Sequence, residues 1–482
     1  MVEMNNGLTP DIIRGKFQGI DEFKMKRYEL GDSKQPTSVY LLYCEGMIQS
    51  QQINETVIPQ LNDRLADTDS ADKLDMRMNV SRLQIDELVL GVFSGQLVIY
   101  LEREGVLFGM DLADIPQRQP QDSNTEQAVK GPRDAFVEEL VTNVSLIRKR
   151  LRTNSLRCER FKIGKRSQTA VVLLYVQDIA NPEIIEEARK RLNGIDIDSL
   201  MGSSPLEEML ADKSYSLFPL IGYTTRPDFA VDCLIRGRFV VIAQGAPTAV
   251  IAPGNLLFML RSAEDTYFSY LPASFSLIFR YIGLLISLLL PGFYIAITSF
   301  NVEQLPYPLL ATIGMSRLGL PFPGPLEAFL MVGMFEVFRE AGERLPKAVG
   351  STVSVVGGIV VGEAALRAGL ASSTLIVVAA ITGVAVFTLV NQTLVLAVSI
   401  TRFAIMICAS FLGMYGFMIA VMGVLLYLAS LSSFGLPYLA PLSPITWRDL
   451  ALVFSRVPWV KKNARPRMLN TVDDTRQKKR RS

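Results

Sequence analysis

Histidine is absent from the 482 residues of the chain, and cysteine and tryptophan are rare, with four and two copies. The lack of histidine excludes Ser-His-Asp triads, histidine general bases and histidine metal ligands. The cysteines lie far apart and form no CxxC pair, which indicates buried, reduced thiols at Cys44, Cys158, Cys233 and Cys408. The common phosphate-loop, dinucleotide-loop and nucleophile-elbow motifs are also missing. We therefore expect a protein that is not an enzyme and that holds no cofactor or metal.

A strong overall charge is missing too. The 49 basic and 47 acidic residues give a net charge of +2, which provides no field for a nucleic-acid partner. Residues 456–482 are an exception, since they contain ten Lys or Arg and two Asp. Positively charged segments next to membrane helices stay in the cytoplasm, so we expect a cytoplasmic C-terminus. This basic tail either contacts anionic membrane lipid or serves only as a topology anchor.

Long apolar runs are absent from the first half of the chain. Asp11, Arg14 and Lys16 are unlike the start of a secretory signal peptide, so we expect the first half to lie in the cytoplasm. Four apolar segments follow in the second half, and each is long enough to cross a hydrocarbon core of about 30 Å. They are residues 277–300, 349–370, 373–390 and 403–429. An even number of crossings agrees with two cytoplasmic termini.

A further segment, residues 325–346, is apolar but carries several charges. A charged side chain facing lipid is costly, so this segment is predicted to be an interfacial or re-entrant helix that packs on the bundle without crossing it. The alternative is a fifth crossing with the charges near one end. In either arrangement, the candidate coupling residues are Glu327, Glu336, Arg339, Glu340 and Arg344.

The first half contains an internal repeat. Residues 39–61 and 171–192 both read as an apolar strand, a polar turn and an amphipathic helix, and residues 91–109 and 234–253 both read as strand, turn, strand. The predicted fold class is therefore α/β plus an α-helical membrane protein, with two similar α/β cytoplasmic subdomains followed by a polytopic helical membrane domain. The expected boundaries are 1–124 and 156–262 for the subdomains, 125–155 for a linker and connecting helix, 263–435 for the membrane domain and 436–482 for the tail.

The connecting helix has apolar residues at helical spacing after Asp134, which is a plausible N-cap. Its C-terminal end is basic, where the helix dipole favours positive charge. Arg148 and Arg150 are candidates for contact with a partner subunit. The alternative is a connecting helix whose charges only cap its end.

One predicted membrane helix has a row of small residues every four positions, at Gly350, Ser354, Gly358 and Gly362. Such rows allow helices to pack closely in a bilayer. A second stripe contains the candidate pore or gate residues Thr352, Val356, Ile359 and Glu363. In a ring of subunits, Ile359 would form an apolar constriction and Glu363 a ring of carboxylates. The alternative is that Glu363 pairs with Arg367 one turn further along the helix.

Several strings in this order resemble the A subunits of the GerA-type spore germinant receptors. They are TEQAVKGPR at 125–133, TNVSLIRKR at 142–150, RP at 226–227, EAFLM at 327–331, REAG at 339–342, RLP at 344–346 and PYLAP at 437–441. The resemblance covers roughly residues 30–444.

This resemblance implies a multi-pass subunit of a nutrient receptor in the inner membrane of the bacterial endospore, with both termini in the spore core. It also implies a transporter-like B subunit and a lipoprotein C subunit as partners, and a homo-oligomeric ring, expected to be a pentamer, that acts as a nutrient-gated cation channel. Two alternatives stay open. One is a germination channel protein of the same architecture that works without a nutrient-binding partner, and the other is a secondary transporter subunit, which usually shows symmetry within its membrane half.

Overall fold

The computed structural model describes residues 9–31, 37–67, 80–85, 87–113, 130–344, 360, 362–447, 449–450, 458 and 463–477. The chain forms two compact units. The first, here called the α/β unit, contains Met1–Ser214, Ile221–Pro253 and Lys462–Ser482. The second, here called the helical unit, contains Tyr215–Leu220 and Gly254–Lys461.

The first sheet of the α/β unit has five antiparallel strands in the order β1-β2-β4-β5-β3. The strands are β1 (Phe23–Leu30), β2 (Thr37–Cys44), β3 (Ser81–Leu83), β4 (Gln96–Leu101) and β5 (Val106–Asp111). The helices are α1 (Pro10–Lys16), α2 (Ile58–Asp67), which follows a π-helical turn at Ile53–Val57, and α3 (Leu88–Val92). Side chains alternate across β2, so Leu41 packs with the residues of the π turn and Leu42 with those of α1 and α3. Both faces of this sheet are therefore buried.

The second sheet repeats the arrangement, with five strands in the order β6-β7-β9-β10-β8. The strands are β6 (Leu156–Ile163), β7 (Thr169–Val176), β8 (Gly222–Thr224), β9 (Phe239–Ala243) and β10 (Ala249–Ala252). The helices are α4 (Leu140–Arg148), α5 (Pro182–Gly194), α6 (Ser204–Leu210) and α7 (Pro227–Ile235). Because strand order and direction match those of the first sheet, the two halves of the α/β unit are related, as the internal repeat predicts.

The connecting helix α4 is shorter than the sequence pattern predicts. It begins at Leu140 with Glu139 at the N-cap position, so the prediction of Asp134 as the N-cap is wrong. The carboxylate of Asp134 instead accepts a hydrogen bond of 2.7 Å from Arg150 Nη2. On the side of the first sheet, Ser145 Oγ donates to the carbonyl of Gly46 at 3.1 Å. Helix α4 therefore packs between the two sheets.

The C-terminal tail contains an ordered part, since residues 463–477 pack on the second subdomain. Arg465 is 8% exposed and its Nε donates to the carbonyl of Ile235 at 2.8 Å. The amide of Val472 donates to the carbonyl of Ile179 at 3.0 Å, and Leu469 is buried. Hydrogen bonds from Thr475, followed by one from Arg465, lower the pKa of Asp473 to about 2. The predicted division at 436–482 therefore needs correction, because this part of the tail belongs to the α/β unit.

The helical unit contains α8 (Leu256–Met259), α9 (Tyr270–Ser299), α10 (Tyr307–Arg317), α11 (Gly324–Arg344), α12 (Ser373–Val386) and α13 (Gln392–Ala429). Among the described residues, α9 and α13 are long and apolar enough to cross a membrane, and α12 is apolar but shorter. The predicted crossing at 349–370 lies largely outside the described residues. The long continuous segment of this unit begins at Gly254, earlier than the predicted boundary at 263.

Helix α13 is a helical hairpin. Gly413 has φ 60° and ψ −137°, values that interrupt the helix. A Cβ atom built on Gly416 would lie 2.1 Å from the carbonyl oxygen of Cys408, although these residues would be about 12 Å apart along a straight helix. Residues 392–412 and 414–429 are therefore two arms packed side by side. This corrects the single crossing predicted at 403–429.

The tip of the hairpin is held by the end of α9. Asn301 Oδ1 accepts a hydrogen bond of 3.3 Å from the amide of Met414, which the break has left without a helical acceptor. A Cβ atom on Gly413 would lie 2.7 Å from Cβ of Phe300. Glycine is required here because the backbone has positive φ and because Phe300 occupies the space that a side chain would need.

Candidate functional site

Most of the predicted pore and packing residues lie outside the part of the chain that the structure describes. These six are Gly350, Thr352, Ser354, Val356, Gly358 and Ile359. Glu363 is described, and its carboxylate pairs with Arg367 Nη2 at 2.6 Å, with 56% of the Glu363 side chain exposed. This ion pair is the alternative that the sequence left open. The pore role of Glu363 therefore stays a prediction.

Two of the charged residues predicted on α11, Glu336 and Arg339, form one cluster with Arg402 of α13. Glu336 Oε2 accepts from Arg402 Nη2 at 2.7 Å, and Glu336 Oε1 accepts from Arg339 Nη2 at 2.6 Å. Arg339 also pairs with Glu343. Arg402 is 2% exposed, so its charge depends almost entirely on Glu336 for compensation. The sequence pattern indicated Glu336 and Arg339 but not Arg402, whose signal is a single cation within a long apolar run.

A cavity of about 500 Å³ lies beside this cluster. Its walls are mostly apolar and come from α11 and α12, including Val332, Phe335, Ile376, Ala379, Ala380 and Phe387. Four charged residues also line the cavity, namely Glu336, Arg339, Glu363 and Arg402. An apolar chamber with charged groups on its wall provides a place for water or an ion within the helical unit.

Glu327, at the start of α11, forms a second buried cluster. Its Oε1 accepts hydrogen bonds from both the amide and the hydroxyl of Ser372, which is the N-cap residue of α12. Its Oε2 lies 3.9 Å from Arg317 Nε, and among the described residues it has no hydrogen-bond partner. Arg317 in turn donates to the carbonyl of Thr298 at 3.3 Å. This cluster joins the beginnings of α11 and α12 to the end of α9.

The remaining predicted coupling residues lie at the surface. Glu340 and Arg344 form an (i, i+4) pair of 2.7 Å whose side chains are 46% and 79% exposed. Such exposed pairs contribute little to stability. The structure therefore separates the five predicted coupling residues of α11 into a buried group and an exposed group.

Arg148 is buried in the α/β unit, where it joins the two subdomains. Its side chain is 0% exposed, its Nε donates to Glu22 Oε1 at 3.1 Å, and its Nη1 donates to the carbonyl of Thr153 at 2.9 Å. The guanidinium lies 4.3 Å from the centre of the Phe93 ring. A side chain without exposed surface cannot contact a partner subunit, so the structure gives Arg148 an internal role instead of the predicted one.

The cysteines are free thiols, and Cys44, Cys158 and Cys233 are buried as the sequence predicts, whereas Cys408 is only partly buried. Burial, together with the nearby charge of Glu22, raises the pKa of Cys44 to about 12. Burial and the nearby charge of Glu22 raise the pKa of Cys158 as well. Both thiols therefore remain protonated at neutral pH and are poor nucleophiles. In the described residues, no group of acidic or thiol side chains is arranged to hold a metal ion.

Comparisons with known proteins agree on one family. The model described as "Bacillus/Clostridium GerA spore germination protein" matches residues 11–468. Spore germination protein XA of Bacillus anthracis is 40% identical over 485 residues, which cover 99% of this chain and 98% of that protein. Spore germination protein KA of Bacillus subtilis (strain 168) is 32% identical over 446 residues, which cover 91% of this chain and 82% of that protein.

A solved structure is also similar to part of the chain. It is a crystal structure of the N-terminal domain of the A subunit of the Bacillus megaterium spore germinant receptor GerK3. The match has 26% sequence identity and a TM-score of 0.40, and it covers 50% of this chain and 92% of the solved one.

Proposed function

Because the chain belongs to the GerA family of spore germination proteins, we propose that it is the A-type subunit of a germinant receptor and that it forms an ion channel. The observation that carries this proposal is the family match over residues 11–468, which includes both the α/β unit and the apolar helices. The similarity to spore germination protein XA over nearly the whole length of both chains supports the same role. The protein has no catalytic role in this proposal.

The proposed complex lies in the inner membrane of the spore. The A-type subunit assembles there as a homo-oligomer, which we propose is a pentamer, with a transporter-like B subunit and a lipoprotein C subunit. Apolar helices α9 and α13, with exposed side chains such as Leu285, Phe411 and Met422, support contact with lipid. Both termini are proposed to lie in the cytoplasm, which in the spore is the core.

The arrangement of α9 gives a test of this topology. Tyr307 follows the end of α9 and is 82% exposed, whereas Val472 is in the α/β unit and is 63% exposed. In a cysteine-free background, we expect a membrane-impermeant maleimide to label Tyr307→Cys from outside cells and Val472→Cys only after the membrane is opened. Labelling of both positions from the same side would contradict the proposed topology.

Channel activity is proposed to depend on the stripe of Thr352, Val356, Ile359 and Glu363, with the small-residue row packing on a neighbouring helix. An apolar ring of Ile359 side chains would exclude water from a closed pore. We therefore expect Ile359→Ala to raise resting K⁺ efflux from vesicles containing the purified complex by about an order of magnitude. Val377→Ala, on the exposed surface of α12, is the control and should leave the efflux unchanged.

Resting efflux that stays the same in a correctly assembled Ile359→Ala complex would place the pore elsewhere. The same vesicles test the alternative of a partner-independent channel, which requires gated efflux from the A-type subunit alone. A secondary transporter is less well supported. Its broken helices are unwound near the middle of the membrane, whereas the break at Gly413 is the tip of a hairpin.

A further inference from the structure

Contacts between helices show which parts of the helical unit lie at the same level along the helix axes. Along the first arm of α13, Ile405 lies beside Gly292 of α9, and Gly413 lies beside Phe300. The difference in residue number is 113 in both cases, so the first arm runs parallel to α9. Helix α12 runs the other way, because Thr388 lies beside Gly283 while Thr374 bonds Tyr294. All three helices therefore extend between the same two levels.

Helix α11 also extends between these levels. Glu327, at its start, bonds Ser372 at the start of α12, and Arg317 connects Glu327 to Thr298 near the end of α9. Nine residues later, Glu336 pairs with Arg402, which lies ten residues after the start of α13. At about 1.5 Å per residue, Arg402 is about 15 Å from both the start of the arm and its tip. Arg344 follows Glu336 by eight residues, or about 12 Å, so it lies within a few ångströms of the level where α13 begins.

This arrangement favours the alternative for residues 325–346, a helix that crosses the membrane completely. We propose that α11 spans the bilayer and that Glu336 and Arg402 form a hydrated charged site at its middle depth, with the adjacent cavity holding the water. The proposal rests on the proposed function, since it requires the helical unit to lie in a membrane. It deepens that function by assigning a polar, water-accessible position within the subunit.

The cost of burying charge in a bilayer is the physical reason for the water. Ionisable side chains in membrane segments face partners or water-filled cavities, because lipid offers them no compensation. Among the described residues, Arg402 Nε has no acceptor, although the side chain is 2% exposed. The cavity of about 500 Å³ has room for many water molecules, and Glu336, Arg339 and Arg402 on its wall can hydrogen-bond to them.

Two residues on α12 provide a matched pair of probes for this site. Ala380 lines the cavity, and Val377, one turn earlier, is 56% exposed on the outer surface. Gly383 is a second probe of the cavity, since a Cβ atom built there meets nothing within 4 Å. Each position is changed to cysteine in the full-length, cysteine-free protein in membranes. Modification by a charged methanethiosulfonate is then measured, because this reagent reacts with thiols in water and does not enter lipid.

Ala380→Cys or Gly383→Cys is expected to react at least about tenfold faster than Val377→Cys, because a thiol ionises far more readily in water than in lipid. In the same background, Arg344→Cys should be labelled from the side of Val472→Cys, and Leu370→Cys from the side of Tyr307→Cys. Reactivity after detergent extraction shows that each thiol is intact and normalises the rates.

Equal, slow modification at all three positions of α12 would overturn the hydrated site. Labelling of Arg344→Cys from the side of Tyr307→Cys, or only after detergent extraction, would show that α11 does not cross. A failure of the proposed function would give a different result. In that case Tyr307→Cys and Val472→Cys would both be labelled from the same side.

Discussion

Replacing Arg148 with methionine is expected to lower the free energy of unfolding of the α/β unit by about 3–5 kcal/mol. The change removes the cation that compensates Glu22, whose side chain is 2% exposed and would remain buried without a charged partner. Since a typical domain is stable by about 5–15 kcal/mol, such a variant should lose a large fraction of the stability of the α/β unit. Pulse proteolysis of the full-length protein in urea gives the measurement.

Arg150→Met is the matched control for this prediction. Arg150 pairs with Asp134, but the two side chains are 22% and 26% exposed, so water can solvate the remaining carboxylate. We expect a loss of about 1 kcal/mol or less. The double variant Glu22→Gln/Arg148→Met should recover much of the stability, because it leaves no buried charge. A loss for Arg148→Met no larger than that for Arg150→Met would show that Glu22 is solvated in the folded protein.

Glu336→Gln is expected to have an effect of similar size in the helical unit, about 3–5 kcal/mol. Among the described residues, this change leaves Arg402, which is 2% exposed, without a carboxylate partner, and the other side chain that it bonds is Ser399 at 3.4 Å. Arg339 loses its ion pair with Glu336 as well, although it keeps the ion pair with Glu343. The expected result is a marked fall in the amount of protein in the membrane and in its thermal stability in mild detergent.

Glu340→Gln, one turn further along the same helix, controls for the loss of a carboxylate as such. Its partner Arg344 is 79% exposed, so stability should stay close to that of the unchanged protein. Removing both charges in Glu336→Gln/Arg402→Met should restore the protein level, even if channel activity is lost. If the double variant were as unstable as Glu336→Gln, packing around Glu336 would be the cause, and the ion pair would not.

Local patterns in the sequence determined the fold class. The repeat of strand, turn and helix at 39–61 and 171–192 predicts two related sheets, because the spacing of apolar residues reflects which face of each element is buried. In the structure, β2 and β7 are the corresponding strands and occupy the same place in their sheets. Apolar length likewise predicted α9, since about 20 apolar residues match the thickness of a bilayer.

Tertiary structure alone decided which charges meet. Glu22 and Arg148 are 126 residues apart in the chain, and Glu336 and Arg402 are 66 apart. A charge within an apolar run indicates that a partner is needed, but composition does not identify the partner. The role predicted for Arg148 was wrong for this reason, because a basic helix end looks the same whether it faces solvent or a buried carboxylate.

The path of the chain at two points also depended on tertiary contacts. Residues 403–429 read as one apolar helix, and glycine within such a run does not by itself indicate a reversal. The hairpin forms because Asn301 supplies the acceptor that the amide of Met414 lacks and because Phe300 fills the space beside Gly413. In the tail, charge predicted a segment that contacts anionic lipid or only anchors the topology, yet Arg465 is buried because the carbonyl of Ile235 and the tail's own backbone accept its hydrogen bonds. Sequence determines which segments are apolar or charged, whereas a buried polar group is stable only where distant parts of the chain supply its partners.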